Sequence, residues 1–437
     1  MRADSATRGV FQRRLFPVLA GALLLLVAGS LQSVQAATLC VNQRPNSACP
    51  YKTINAAVSA ASSGDTINVA AGTYSEYVVI NKSVSLIGAG PHLTIIDATG
   101  EPNAIYVSQA SGVVVTGFSL ENAEYEGILA RDSSFVTLWG NLVMNNDKNL
   151  IPGPPSTAAC TDLTKVYPFE INEQDDCGEG IHLLGSNHST VYDNTVEYNA
   201  GGVLLSDDDA PNDNNSVRNN TVRDNLYDCG ITLASHGPWG VFDNTIADNS
   251  VSGNGTFQPA GAGVGLFSPG GPTKNYGNVV VDNDLVGNGL AGVALHTHAP
   301  GTEILQDDLV IGNRFSGNGG DTDVTGTSTA PPNGISLLVV GGTVGGLVFS
   351  QNRFANESVD IAAKIVPSDV AVTAQLNKFQ ANTVGISNLA SGSINATENW
   401  WGCSQGPGVI TGCSTISGSG VIYMPWLTTP LPNSGGN

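Results

Sequence analysis

The amino-acid sequence predicts an all-β fold, a right-handed parallel β-helix of about ten or eleven coils with a short N-terminal capping helix. Three observations predict it. A phrase of apolar residues around an Asn-led turn recurs as VYDNTV at Asn194, VRNNTV at Asn220, VFDNTI at Asn244, VVDNDL at Asn283, VIGNRF at Asn313 and VFSQNRF at Asn352. These anchors are spaced 26, 24, 39, 30 and 39 residues apart, a unit of roughly 22 to 26 residues with loop insertions. Each unit also opens a strand in which apolar residues alternate, after Gly180, Gly202, Gly230, Gly263, Gly292 and Gly334; that is strand period, and helical spacing is missing there. Aromatic residues are only 6% and charged residues 12% of the 437-residue chain, a composition suited to short stacked strands and tight turns. Gly and Asn at the bends tolerate positive φ, and Asn can hydrogen-bond coil upon coil.

The elements follow in order. Residues 1–36 stand outside the solenoid: Arg2, Arg8, Arg13 and Arg14 precede a Leu-rich run at 18–29, and Val34, Gln35 and Ala36 fit a small-residue cleavage rule. The run is short for a membrane span, so an export leader is expected, by the general secretory route or, less well matched, by a twin-arginine signal at Arg13 and Arg14. The mature protein is then secreted, extracellular or periplasmic, and no second apolar stretch would anchor it. Residues 37–65 form an N-terminal cap. Apolar residues at 54, 57, 58 and 61 give a short amphipathic helix that would cover the first coil. Residues 66–399 form the β-helix, with an inserted loop at 147–177 rich in Pro and acids, and residues 400–437 form a C-terminal cap and tail in which Trp400 and Trp401 close the last coil.

Seven cysteines in an exported chain imply disulfides. Cys40 with Cys49, and Cys403 with Cys413, would close short loops at the two ends. Cys160 with Cys177 would pin the insertion and leave Cys229 a buried thiol; Cys177 with Cys229 is the alternative. No Cys-x-x-Cys pair suggests zinc.

The formal charge is −20, and −23 without residues 1–36. Sequence-general nucleic-acid binding is therefore excluded. A polyanionic substrate would need Ca²⁺ or a local cationic patch, for which Arg131, Arg218 and Arg223 are available. A monomer is expected.

Aligning the units on the Gly that opens each strand places Asp208, His236 and His298 in one column, with Pro269 between the two histidines. His296 lies two residues earlier and His182 on the outward side of the same sheet. Carboxylates gather nearby: Glu179 could stack on Glu126, and Asp207, Asp209 and Asp228 are close in the same alignment. Asp208, His236, His298, His182, His296 and Glu179 are the candidate catalytic residues, and Arg131, Asp207 and Asp228 the candidate substrate contacts. Paired carboxylates suit glycoside hydrolysis, and His with Asp also suits zinc or copper. The bland account is that stacked acids are solvated or bind calcium and that outward histidines pair with Asp.

The cap sequence TINAAV at 53–58, GDTINVAAGTY at 64–74, KSVSLIGAG at 82–90, the Asn-anchored repeats and NWWGC at 399–403 together resemble secreted bacterial β-helix proteins of the pectate-lyase-like superfamily, in its branch of carbohydrate-binding proteins and sugar hydrolases. The resemblance covers nearly the whole mature chain and implies the fold. It leaves activity open, since the superfamily holds lyases, hydrolases, epimerases, esterases, phage spikes, adhesins and a periplasmic copper-delivery protein. The polygalacturonase set is absent apart from a partial echo at residues 206–209, as is the Asp-Pro-His-Asp motif of mannuronan epimerases. Two expectations follow: an enzyme acting on a polysaccharide laid along the parallel sheet, or a non-catalytic surface or matrix protein that binds glycans or forms a rigid rod.

Overall fold

The computed structural model describes residues 36–148, 178–257 and 261–431. Nearly all of the expected leader lies outside the described residues, as do residues 149–177 with the Cys160–Cys177 pairing. Among the described residues, parallel strands build sheets of 14, 12, 10 and 5 strands, so the expected coil number falls between the depths of the second and third sheets. One coil shows the path. Gly201–Ser206 lies in the second sheet, Asn212–Asp213 in the fourth, Ser216–Arg218 in the first and Thr221–Arg223 in the third; Ile231–Ala234 then returns to the second sheet beside Gly201–Ser206.

The turns hold because their polar groups are paired along the axis. Asn249 donates from its backbone N and Nδ2 to Asn283 Oδ1, each at 2.9 Å, and accepts from Asn220 N and Nδ2 at 2.9 and 3.0 Å. The same bonds link Asn194, Asn220, Asn249, Asn283, Asn313 and Asn352 at separations of 26, 29, 34, 30 and 39 residues. Asn244 belongs instead to a neighbouring ladder, between Asn215 and Asn278, and a third ladder runs through Asn199, Asn225, Asn254 and Asn288. Ladder residues thus recur every five positions within a coil, as at Asn215, Asn220 and Asn225. Positive φ is not theirs: it falls on the residue before, such as Asp193, Asn219 and Asp248 at 54°, 55° and 56°, which turns the chain so that the next Asn points inward. Leaving one such buried group unpaired costs about 1–3 kcal/mol.

Inward-facing residues of neighbouring coils stack into the core. Ile181, Val203, Ile231, Val264, Val293, Ile335 and Ile361 occupy one register column of the second sheet and are all buried, each contributing ~1.5–3 kcal/mol of apolar burial. Toward the C-terminus the core becomes aromatic: Phe315, Phe354, Phe379 and Trp401 stack with centroids 4.9, 5.9 and 4.6 Å apart. Fully buried Trp401 ends the stack.

At the other end, the helix Ile54–Ala60 buries Ile54, Ala57 and Val58. Thr53 Oγ1 accepts from Ala56 N at 3.2 Å, and the Glu76 carboxylate accepts from Ile54 N and Asn55 N at 2.7 and 2.9 Å. Within the cap region, Thr38–Val41 is already the first strand of the first sheet. Disulfides join Cys40 to Cys49 and Cys403 to Cys413, with Cα separations of 5.2 and 5.1 Å. Cys229 is a buried free thiol, so the Cys177–Cys229 alternative is not formed. No helix of the described residues is long and apolar enough to cross a membrane.

Candidate functional site

The outward face of the second sheet carries the histidines. Strand Ile128–Arg131 pairs directly with Glu179–Leu184, which pairs with Gly201–Ser206, then Ile231–Ala234, Val264–Ser268 and Val293–Thr297. Ser206, Ala234, Phe267 and His296 therefore share a column, and two residues further on Asp208, His236, Pro269 and His298 fall on successive coils.

The side chains nevertheless form two clusters. In the first, His236 Nδ1 lies 3.4 Å from Asp208 Oδ2, and His182 Nε2 lies 2.9 Å from Ser206 Oγ one coil away. Asp208 is almost completely buried and His236 is 18% exposed, so His236 is the member that reaches solvent. Burial pushes the His182 imidazole down to about 3 against the pull of the Asp208 carboxylate, with His236 adding to the depression. His182 is thus neutral and works as a hydrogen-bonding group.

His236 is positioned by Asp207. That carboxylate is fully buried and accepts from Ser235 Oγ at 3.1 Å and from the backbone N–H groups of His236, Gly237 and Gly240 at 2.7, 2.9 and 2.5 Å. Asp207, a candidate substrate contact in the sequence, thus has its carboxylate turned into the loop, where it fixes the turn that carries the histidine. Arg131 stands on the same face and pairs with Asp209, its Nε 2.8 Å from Oδ2.

Other candidates fall elsewhere. Glu179 opens its strand and Asp228 precedes its own, at the opposite end of the strands from Asp208 and more than ~15 Å from it by strand rise. Glu179 stacks in register with Glu126 and folds over Gly201, where an added Cβ would lie 2.2 Å from its Oε2. Asp228 Oδ1 accepts from Cys229 N at 2.6 Å, and burial together with this acid drives the Cys229 thiol far above its usual range, leaving it unreactive. Arg218 lies over the Tyr192 ring at 4.6 Å on the first sheet, and Arg223 pairs with Glu197 at 2.6 Å on the third. Of the three arginines, only Arg131 faces the histidines.

The second cluster lies two coils beyond His236, past the Phe267 ring that packs 5.5 Å from His296. There His296 Nδ1 is 3.1 Å from His298 Nε2, while His296 Nε2 donates to Asp321 Oδ2 at 2.8 Å. His298 has thus turned away from the expected grouping with Asp208 and His236. Asp321, Asp323 and Ser336 were not anticipated. Their signal was the 42-residue interval from Gly292 to Gly334, which leaves room for an insertion containing the acid pair Asp321-Thr-Asp323.

A family model described as "Right handed beta helix region" matches residues 103–275. No curated protein matches the chain at the level of sequence. Among solved structures, the pectate lyase Pel9A is 17% identical over 72% of this chain and 79% of its own, with a TM-score of 0.49. The catalytic unit of a thermostable α-1,3-glucanase from Streptomyces thermodiastaticus is 15% identical over 87% and 67%, with a TM-score of 0.47. The A-module of a mannuronan C-5 epimerase from Azotobacter vinelandii is 15% identical over 85% and 93%, with a TM-score of 0.40.

Proposed function

We propose, for a chain built as a right-handed parallel β-helix, that the outward face of the second sheet engages a polysaccharide and that His236, paired with Asp208, moves a proton on it. The observation that carries this reading is the Asp208–His236 pair, a nearly buried carboxylate holding a histidine that alone in its cluster reaches solvent. With Nδ1–H donated to Asp208, the neutral ring places its lone pair at Nε2, the form required of a general base.

The geometry favours proton abstraction over hydrolysis. A glycosidase of the usual kind needs two carboxylates across the scissile bond. Here Asp207 is consumed by the turn, Asp209 is paired with Arg131, and Glu179 lies at the far end of the strands. A single base suits β-elimination beside a uronate carboxylate: His236 takes the proton from carbon, the glycosidic C–O bond breaks as the double bond forms, and the protonated ring returns that proton to the departing oxygen; epimerisation would need a second proton donor on the opposite face of the sugar. Arg131, which stands on this face in its pair with Asp209, is the cation nearest to where that carboxylate would lie. The test is to incubate the protein with uronate and neutral polysaccharides, with and without Ca²⁺. Unsaturated chain ends or epimerised residues from a uronate polymer support the reading; reducing ends without unsaturation point to hydrolysis and sink it.

A second reading, binding without turnover, is favoured by a different observation. On the first sheet Trp139 is 39% exposed and stacks on Tyr192 with centroids 5.9 Å apart and planes 8° off parallel. Such a pair offers a sugar platform. Glycan retention that is lost in Trp139→Ala, with no product formed, would replace the enzyme by a binding protein.

A further inference from the structure

The second histidine cluster has the build of a metal centre. Its deepest member, Asp321, is buried and caps the short helix Thr322–Thr325: Oδ1 accepts from Asp323 N at 3.0 Å, while Oδ2 accepts from Ser336 Oγ at 2.5 Å and from His296 Nε2 at 2.8 Å. Asp321 thus fixes His296 with Nε2 turned inward and Nδ1 turned toward His298. A carboxylate that orients the far nitrogen of a histidine is the usual outer partner of a metal-bound imidazole.

The outward atoms complete the set. His296 Nδ1 and His298 Nε2 are 3.1 Å apart, Asp323 Oδ2 is 3.7 Å from His298 Nε2, and the three donors lie within 4.8 Å of one another. Ligands on a four-coordinate ion with bonds of ~2.0–2.1 Å stand ~3.3 Å apart, so two of the three edges are already near the required length. His298 is 40% and Asp323 59% exposed, and both border an open groove of about 560 Å³ that Thr327 and Lys364 also line. Closure around the ion asks only for rotation of the exposed Asp323 side chain.

We propose that His296 Nδ1, His298 Nε2 and the Asp323 carboxylate bind one divalent first-row transition ion, zinc as its simplest occupant, with the fourth position open to the groove. Two imidazoles and a carboxylate suit zinc or copper and disfavour calcium, which takes six to eight oxygens. Three protein ligands with an open position make the site one that can present a bound water or an anionic ligand, which would also meet Lys364. It stands apart from the Asp208–His236 pair, and its test needs no catalytic activity.

The full-length, tag-free chain, stripped with a chelator, is titrated with Zn²⁺ against a chromophoric competitor, and Co²⁺ serves as a spectroscopic probe. One Zn²⁺ per chain is expected, with the intense visible bands of four-coordinate Co²⁺. His298→Ala and Asp323→Asn each weaken binding at least ~10-fold, whereas His188→Ala, on a different turn, leaves it unchanged. Both variants alter exposed side chains, and an unchanged thermal midpoint verifies that they fold. Absence of stoichiometric binding, or equal affinity in wild type and the His298→Ala, Asp323→Asn double variant, overturns the site and leaves the two histidines a hydrogen-bonded pair.

Discussion

The Asn-lined turns and the turn that follows the second sheet lie on the same coils, yet they obey opposite rules. In the ladders, each coil repeats the chemistry of the one before: a buried amide accepts from the coil on one side and donates to the other, as at Asn220, Asn249 and Asn283. After the second sheet, the column runs Asp208, His236, Pro269, His298, and the residue changes from each coil to the next. Uniform stacking there is unnecessary because local carboxylates hold the histidines: Asp207 binds the backbone of His236 in its turn, and Asp321 binds the ring of His296 at the end of the strand before His298. The repeat supplies rigidity, and its departures supply chemistry.

Substitution within a ladder should have the largest effect. Asn249→Ala removes the acceptor of Asn220 N and Nδ2 and the donor to Asn283 and to the Val217 carbonyl, so a loss of about 3–5 kcal/mol in chemical denaturation is expected. The adjacent Asp248→Gly, at an exposed site of positive φ, should change stability by less than ~1 kcal/mol. Equal effects at the two positions would remove the distinction between ladder and bend.

Next comes the support of the variable turn. Asp207→Ala strips an acceptor from three backbone N–H groups and should cost about 2–3 kcal/mol, with amide exchange accelerated across 235–240 before the ladders are affected. Exchange that rises uniformly along the solenoid would mean that the turn is not separately held.

A smaller effect is expected where a ladder ends in an acid. Asp308 accepts from Asn278 N and Nδ2 at 2.8 and 3.1 Å, as a ladder Asn would, but burial raises its carboxyl to about 7. The folded state thus holds a proton that the unfolded chain releases near the usual carboxylate value of 3.8. Stability from this group is fully present below that value and is lost as pH rises through about 7. Asp308→Asn keeps the acceptor and removes the charge, so it should stabilise by about 1–2 kcal/mol above neutrality and by little in acid. Denaturation midpoints across pH test this; a variant no more stable than wild type in mild alkali would contradict it.

The fold was legible because a solenoid writes its structure in one dimension. Repeating Asn and alternating apolar residues were enough to predict the strands, the core and the column from Asp208 to His298. The assignment of Asn244 went astray because VFDN and the later IADN both place Asp before Asn, and two ladders five residues apart share that local pattern. Asp207 carried a readable signal: alternation with Ser206 outward turns the next residue inward. The long interval from Gly292 to Gly334 marked an insertion with the acid pair Asp321 and Asp323, but not its contact with His298, because residues 319–332 have no period and only three-dimensional packing brings the insertion back onto the sheet.

The measurement that bears most directly on the central claim is turnover on a responsive polysaccharide by wild type and His236→Ala, with the thermal midpoint of each. General acid–base catalysis is worth ~100-fold to 10,000-fold, so His236→Ala should lose at least ~100-fold in turnover with a nearly unchanged midpoint. Equal turnover by the two proteins would contradict that claim.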